Sequence, residues 1–272
     1  MNTLNWMKYR LIYLAISGVV LVSGIYSLVR WGLNLGIDFT GGVVAEYKME
    51  NGEIKNLKYG VKSDDEIEKI RKEFKDKKAT ELRFEVVGPS IGPDLIKKTF
   101  YALSISAGLI LIWVAFQFKN IKFGVSAILA MIHDSLVILG AFSLLGHFAN
   151  VEVDFLFVTA VLTILSFSVH DTIVVYDRIR EKQKKYDPLL SGDIKAVANS
   201  ALTETMVRSL NNSFTIIFML LSLVILGGET IRWFAVALLI GTISGTYSSP
   251  FVAVPLLVTW EELEKKLKRK FS

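Results

Sequence analysis

The sequence predicts an α-helical polytopic membrane protein with six transmembrane helices and one small α+β domain outside the bilayer. Apolar residues make up 52% of the 272 residues and the mean hydropathy is +0.45, which is typical of chains that cross a membrane. Six apolar runs are long enough to span a bilayer core of about 30 Å. They cover residues 11–29, 99–118, 123–146, 155–176, 209–228 and 233–260.

The distribution of basic residues predicts the orientation of these helices. Lys8 and Arg10 precede the first run, the 177–208 loop is rich in lysine and arginine, and KKLKRK lies close to the C-terminus, whereas residues 147–154 contain neither. Because cytoplasmic loops carry an excess of basic residues, both termini and the 177–208 loop are predicted in the cytoplasm of a multi-pass cell-membrane protein. The first run is predicted to remain as an anchor and not to be cleaved as a signal peptide.

These boundaries divide the chain into four predicted parts. They are residues 1–30 with the first helix, the external domain 31–98, the other five helices within 99–260, and a basic cytoplasmic tail at 261–272. The net charge of +5 is concentrated at the cytoplasmic side, so it indicates topology and contact with anionic membrane lipid, not nucleic acid.

The external domain is predicted to contain strands and a helix. Its strands are expected at Val43–Met49 and Leu82–Val87, which are rich in β-branched and aromatic residues. Ser63 and Glu66 form a capping box ahead of apolar residues at helical spacing, namely Ile67, Ile70 and Phe74. Two interpretations remain open for this domain: a folded spacer, or a surface that moves with the membrane helices.

A glycine-rich motif, LGIDFTGG at residues 35–42, follows the first helix. Gly41 and Gly42 permit positive φ angles and the Asp38 side chain can accept hydrogen bonds from nearby amides, so the motif predicts a tight turn. A second cluster of chain breakers at 88–93 marks the return to the membrane. Neither cluster matches a phosphate-binding loop, and the chain has no cysteine; no nucleotide hydrolysis, metal or cofactor is predicted.

The fourth apolar run contains an aspartate, Asp171, which has to be explained. An aspartate at the centre of a membrane helix costs about 2.5–3.5 kcal/mol, so it is rarely present without a partner or a function. Thr159, Thr163, Ser166 and His170 recur at helical spacing and end beside Asp171. This polar stripe predicts a hydrated proton path, although backbone carbonyls can also satisfy such hydroxyls.

The third and sixth runs contain further polar and small residues. His133 and Asp134 lie near mid-depth in the third run, with small residues on the face of Asp134. Both are candidates for the proton path, and a purely structural role is equally open. Gly241 and Gly245 form a small-residue packing face in the sixth run.

Arg208 lies at the start of the fifth run, in the same half of the membrane as Asp171. The two residues are therefore predicted to form an ion pair across adjacent helices. The alternative interpretation is an interfacial arginine that serves only topology.

The motifs resemble those of the SecF branch of the SecD/SecF family, protein-export membrane proteins of the resistance-nodulation-division superfamily. The resemblance is carried by LGIDFTGG at 35–42, VGPSIG at 87–92, HDTIVVYDRIRE at 170–181 and the glycine-containing run at 227–257. One helix, an external domain and five further helices is also the layout of half a transporter bundle of that superfamily.

The resemblance implies a function and roles for individual residues. It implies a non-enzymatic subunit that works with a SecD-like subunit and the Sec translocon, using the proton motive force to move unfolded secretory polypeptides. Asp171 matches the aspartate implicated in proton conduction, Arg208 the arginine that pairs with it, and His133–Asp134 a His-Asp pair of the family. His170 departs from the pattern, because many bacterial members have asparagine there.

Two other functions are considered beside protein export. One is half of a proton-coupled exporter of small molecules or lipids. The other is an intramembrane aspartyl protease, in which Asp134 and Asp171 would share a proton and activate water.

Overall fold

The structure is a computed structural model that describes residues 5–48, 54–59, 66, 68, 69, 71, 72, 80–87, 91–184 and 193–271. The predicted capping residue Ser63 and the apolar positions Ile67, Ile70 and Phe74 lie outside these described residues.

Six of the described helices are long and apolar enough to cross a membrane, which confirms the predicted fold class. They are α1 (Arg10–Trp31), α3 (Ile91–Phe118), α4 (Ile121–Ala149), α5 (Phe155–Lys184), α6 (Ile194–Leu226) and α7 (Glu229–Ser248), which continues through a π-helical turn (Ser249–Ala253) into α8 (Val254–Phe271). A single helical turn, α2 (Ile37–Thr40), and a 3₁₀ turn (Trp6–Tyr9) flank α1.

Helix α6 begins about four turns earlier than the apolar run that predicted it. Its N-terminus is capped by Asp193, whose carboxylate accepts the backbone N–H of Lys195 at 2.9 Å. Helix α8 likewise extends through the predicted tail 261–272 as far as Phe271. Hydropathy detects only the membrane-embedded part of a helix, so these polar extensions were not predicted as helix.

The centre of the bundle is formed by α4, α5 and α7. Helix α1 packs on α4, while α5 and α6 pack on α7. Helices cross most closely at glycines: a Cβ on Gly140 would lie 2.4 Å from Cα of Gly24, and a Cβ on Gly241 would lie 2.0 Å from Cδ1 of Ile164. The predicted small-residue face of α7 therefore lies directly on α5, with Gly245 opposite Ser168.

A three-stranded antiparallel sheet stands at the end of the bundle where α1 ends. Its order is β2 (Ile54–Tyr59), β1 (Gly42–Lys48), β3 (Thr80–Val87). Strand β1 is central and buries Val43, Ala45 and Tyr47, as expected for an alternating pattern. Strand β2 was not predicted, because its sequence IKNLKY is half polar; an edge strand pairs through its backbone and needs no continuous apolar face.

Candidate functional site

Asp171 is buried inside the bundle, on the face of α5 that meets α6 and α7. Its two carboxylate oxygens accept the hydroxyl of Ser209 on α6, at 2.7 and 2.8 Å. The next residue, Thr172, places its Oγ1 2.9 Å from Oγ of Ser249 in the π-helical turn. Within the described part of the chain, the carboxylate is thus held by neutral hydroxyls and not by a cation.

The expected ion pair between Asp171 and Arg208 does not form in this structure. Arg208 is exposed on the outer side of α6, and no ion pair joins it to Asp171 among the described residues. The reason is rotational: consecutive helical residues point about 100° apart, so Ser209 takes the inward position and Arg208 points out. Sequence spacing placed the two residues at one depth but not on facing sides.

Asp134 is fully buried on α4 and accepts hydrogen bonds from two neighbouring helices. Three serine hydroxyls donate to it: Ser168 at 2.5 Å, Ser244 at 2.6 Å and Ser248 at 2.6 Å. Nδ1 of His133 lies 3.1 Å from its Oδ1. Sequence analysis named His133 and Asp134 but missed the serines; the i, i+4 pair Ser244 and Ser248 in an apolar helix was the available signal.

The polar stripe of α5 faces away from the bundle interior. Thr159, Thr163, Ser166 and His170 are all exposed, and the hydroxyls of Thr159 and Thr163 donate to the carbonyls of Phe155 and Thr159. Ser166 and His170 line a shallow cleft of about 330 Å³ against α3. The stripe therefore forms an outer surface of this chain and does not lead inward to Asp171.

The glycine motif connects the sheet to the start of α5 through hydrogen bonds. Asp38 Oδ2 accepts the backbone N–H of Phe155, the first residue of α5, at 2.8 Å. Gly36 N–H donates to the carbonyl of Val153 at 2.8 Å, just ahead of that helix. The turn closes through Gly41 and Gly42, whose φ angles of +72° and +143° favour glycine.

A second carboxylate, Asp154, caps the same helix end. Its Oδ1 accepts the N–H of Phe157 at 2.8 Å. Burial raises the pKa of Asp154 above its ordinary value of 3.8, the hydrogen bond from Phe157 opposes this, and the nearby Asp38 carboxylate raises the pKa further.

This raised pKa predicts a pH dependence of stability. The stabilisation from protonated Asp154 is fully present below its unfolded-state pKa, and it is lost as the pH rises from 3.8 through the raised folded-state value. We expect the substitution Asp38→Asn to make this loss smaller, because it removes a like charge. Thermal unfolding of the purified protein across this pH window measures how steeply its stability falls with pH. The control is Asp94→Asn, a change at an exposed acid of α3, which should leave this pH dependence as in the wild type.

The described residues contain no group of three or more His, Cys, Asp or Glu side chains that could hold a metal ion. The chemistry that the site offers is therefore that of two buried carboxylates, each surrounded by hydroxyl groups that can both donate and accept hydrogen bonds.

Comparison with known proteins identifies one family. Residues 66–263 match the family described as protein export membrane protein SecD/SecF, C-terminal, and residues 27–53 match the SecD/SecF GG motif. The chain is 37% identical to protein translocase subunit SecF of Thermobaculum terrenum, over 93% of each protein. It is 35% identical to that of Anaerolinea thermophila, over 96% of this chain and 95% of the relative.

Longer proteins of the same family contain this fold as one part. The chain is 32% identical to protein translocase subunit SecDF of Bacillus subtilis, covering 95% of this chain but 38% of that protein. The crystal structure of SecDF from Thermus thermophilus, a translocon-associated membrane protein, superposes with a TM-score of 0.84 at 31% identity, over 96% of this chain and 39% of that one. The chain thus spans about two fifths of the SecDF proteins.

Proposed function

Because this chain belongs to the SecD/SecF family and is a multi-pass membrane subunit of the protein-export machinery, we propose that it uses the proton motive force to help unfolded polypeptides cross the membrane. One proton moving through 100 mV releases about 2.3 kcal/mol, which is enough to shift a conformational equilibrium substantially.

The observation that supports this proposal is the burial of Asp171 between α5, α6 and α7, where its hydrogen-bond partners among the described residues are hydroxyls. Ionised, the carboxylate accepts the single hydroxyl hydrogen of Ser209, which lies within reach of both of its oxygens. Protonated, it becomes a donor on one oxygen, so the contact between α5 and α6 has to rearrange. Asp171 is the residue we propose to bind the transported proton.

Movement of α5 can be transmitted to the external sheet through the hydrogen bond between Phe155 and Asp38. The first residue of α5, Phe155, is bound by Asp38 of the glycine motif, and β1 begins only four residues after Asp38. A shift or tilt of α5 would therefore displace the sheet. We propose that residues 31–98 lie outside the membrane and use this movement to hold or pull an emerging polypeptide, in preference to the spacer interpretation.

The polar outer face of α5 and α6 is the proposed contact with a SecD-like subunit. The stripe from Thr159 to His170 and the exposed Arg208 lie within membrane-spanning helices, where polar groups that face lipid are costly. A second membrane subunit with complementary polar groups would cover them, and a carboxylate of that subunit would pair with Arg208. The SecDF relatives carry additional chain beyond the matched part.

The end of the bundle opposite the sheet is proposed to face the cytoplasm and to contact anionic lipid and the Sec translocon. Ion pairs concentrate there: Glu262 of α8 binds Arg10 at 2.8 Å and Lys195 at 2.7 Å, and Glu264 binds Lys122. Basic residues are also abundant between residues 177 and 208, which the structure places largely in the ends of α5 and α6.

The two alternative functions make different demands on the structure. A protease needs two carboxylates that share a proton, but Asp134 and Asp171 bind separate serines and no hydrogen bond joins them. An exporter of small apolar molecules needs an apolar cleft, and one of about 470 Å³ lies among α3, α4 and α5. Transport of such a solute by this chain without the translocon would favour the exporter.

We expect Asp171→Asn to remove the proton-driven part of export. In vesicles containing the SecD-like partner and the translocon, the variant should export a secretory protein only at the rate seen without a proton gradient, because asparagine cannot bind and release the proton. Asp177→Asn, an exposed acid of the same helix that pairs with Arg180 at 3.5 Å, is the matched control and should behave as the wild type. Unchanged proton-dependent export in Asp171→Asn would show the proposal to be wrong.

A further inference from the structure

The carboxylate of Asp134 joins three helices at one point in the centre of the bundle. On Oδ2 it accepts Ser168 of α5 and Ser248 of α7, and on Oδ1 it accepts Ser244 of α7. All three contacts are 2.5–2.6 Å long, the range of hydrogen bonds between a hydroxyl and an ionised carboxylate. The cluster is therefore a buried, hydrogen-bonded acid that the mechanism proposed above does not use.

Titratable groups near Asp134 lie on α4 and α5. On α4 its own neighbour His133 contacts it, on α5 the nearest acid is Asp171, and among the described side chains of α7 the contacts come from serine hydroxyls. No lysine or arginine among the described residues pairs with Asp134, and Nε2 of His133 is buried without a hydrogen-bond partner.

One hydroxyl of the cluster, that of Ser248, has an alternative acceptor. Ser248 Oγ lies 3.3 Å from the carbonyl of Gly245, so this hydroxyl can turn its hydrogen to that carbonyl and then accept a hydrogen from Asp134. A proton that arrives at the carboxylate would form the O–H bond of the acid, and that O–H would donate to Ser248. Protonation of Asp134 thus reverses the direction of its hydrogen bond with Ser248 and forces that hydroxyl to rotate.

Ser168 belongs to both acid sites. Its hydroxyl donates to Asp134, while its backbone carbonyl accepts Thr172 Oγ1 at 3.0 Å and Ser249 Oγ at 3.4 Å. Ser249 in turn faces the carboxylate of Asp171. Since Ser168 precedes Asp171 by three residues, the two sites are separated by only about 4.5 Å along the axis of α5.

We propose that Asp134 is a second proton-binding residue, coupled to Asp171 through Ser168, and that its protonation loosens α7 from α4 and α5. This inference rests on the proposed proton-driven function. A carboxylate accepts all of the surrounding donors, whereas the neutral acid accepts fewer, and two of its three serine partners lie on α7. Ser248 is the last residue before the π-helical turn, so a change in its contact reaches Ser249 and the Asp171 site directly.

Infrared difference spectroscopy tests the coupling. The subunit is purified with its SecD-like partner, and spectra at acidic and alkaline pH are subtracted to show carboxyl groups that gain a proton. Subtracting the difference spectrum of Asp134→Asn from that of the wild type should reveal one titrating carboxyl band. The same subtraction with Asp171→Asn should reveal another. Asp134→Asn should also change the proton affinity of Asp171 about fivefold or more, and this effect should disappear in a Ser168→Ala background.

The outcomes separate this inference from the proposed function. The inference is overturned if no titrating Asp134 band appears, or if Asp134→Asn leaves the proton affinity of Asp171 unchanged. Either result counts even if Asp171→Asn still abolishes proton-driven export. Conversely, a titrating Asp134 with normal export in Asp171→Asn overturns the proposed function. Should Asp134→Asn fail to fold, Ser248→Ala replaces it: this variant keeps the acid but removes its rotating partner, so a wild-type Asp134 band there also overturns the inference.

Discussion

A valine at position 241 is expected to destabilise the protein by about 3 kcal/mol, the upper part of the usual range for overpacking a core. Even a single Cβ at this position would lie 2.0 Å from Cδ1, 2.6 Å from Cγ1 and 2.7 Å from Cγ2 of Ile164. Ile164 is 1% exposed, so other side chains surround it and resist its displacement. Helix α7 therefore has to move away from α5, which also pulls Ser244 and Ser248 away from Asp134.

Thermal unfolding of Gly241→Val in detergent, followed by circular dichroism, measures this effect. Gly245→Ala on the same helix is the graded control, because its Cβ would lie 3.3 Å from Cβ of Ser168 and the expected loss is smaller. The damage should also be relieved by shortening the opposing side chain, so Gly241→Ala combined with Ile164→Ala should lose less than the sum of the two single variants. Wild-type stability of Gly241→Val would contradict the helix spacing described here.

Gly92→Ala is expected to cost about 2–4 kcal/mol, because it pushes the first turn of α3 away from the α2 turn. A Cβ on Gly92 would lie 2.2 Å from the carbonyl oxygen and 2.7 Å from the carbonyl carbon of Phe39. These are backbone atoms, so the whole α2 turn has to shift. The shift removes the Asp38 cap from α5, and loss of a helix cap adds about 1 kcal/mol to the overpacking cost.

Thermal unfolding and the proton-driven export assay together measure the consequence of Gly92→Ala. We expect both stability and export to fall, since the sheet loses its connection to α5. Gly108→Ala on the same helix α3 is the matched control, because its Cβ would meet nothing within 4 Å and alanine favours a helix. No substitution of the Phe39 side chain should restore Gly92→Ala, in contrast to the rescue expected for Gly241. Full export in a stable Gly92→Ala protein would contradict the proposed coupling.

The transmembrane helices were predictable because a bilayer imposes a simple rule on the sequence. Apolar runs of sufficient length mark α1 and α3 to α7, and the structure contains a spanning helix at each of them. The glycine motif likewise predicted a tight turn through Gly41 and Gly42. Both have positive φ angles, which glycine adopts easily because it has no Cβ. What the motif does, namely to cap α5 with Asp38 from 117 positions away, has no local signal.

The candidate site was predictable only in part. The isolation of Asp171 and Asp134 in apolar runs indicated that both are special, and both are buried in the structure. Their partners were not predicted: Ser209 takes the position expected for Arg208, and the polar stripe beginning at Thr159 faces outward. Helical spacing shows which residues share a face, but it does not show toward which neighbour that face is turned.

By itself, the sequence determined the number of membrane helices, the turn that precedes the sheet and the two acids in the membrane, because each depends on transfer to the bilayer or on local backbone sterics. Only the tertiary structure decided which hydroxyls surround each acid and which polar face is left for a partner. Those features depend on the rotation of each helix about its axis, which is set by contacts between distant residues such as Gly241 and Ile164.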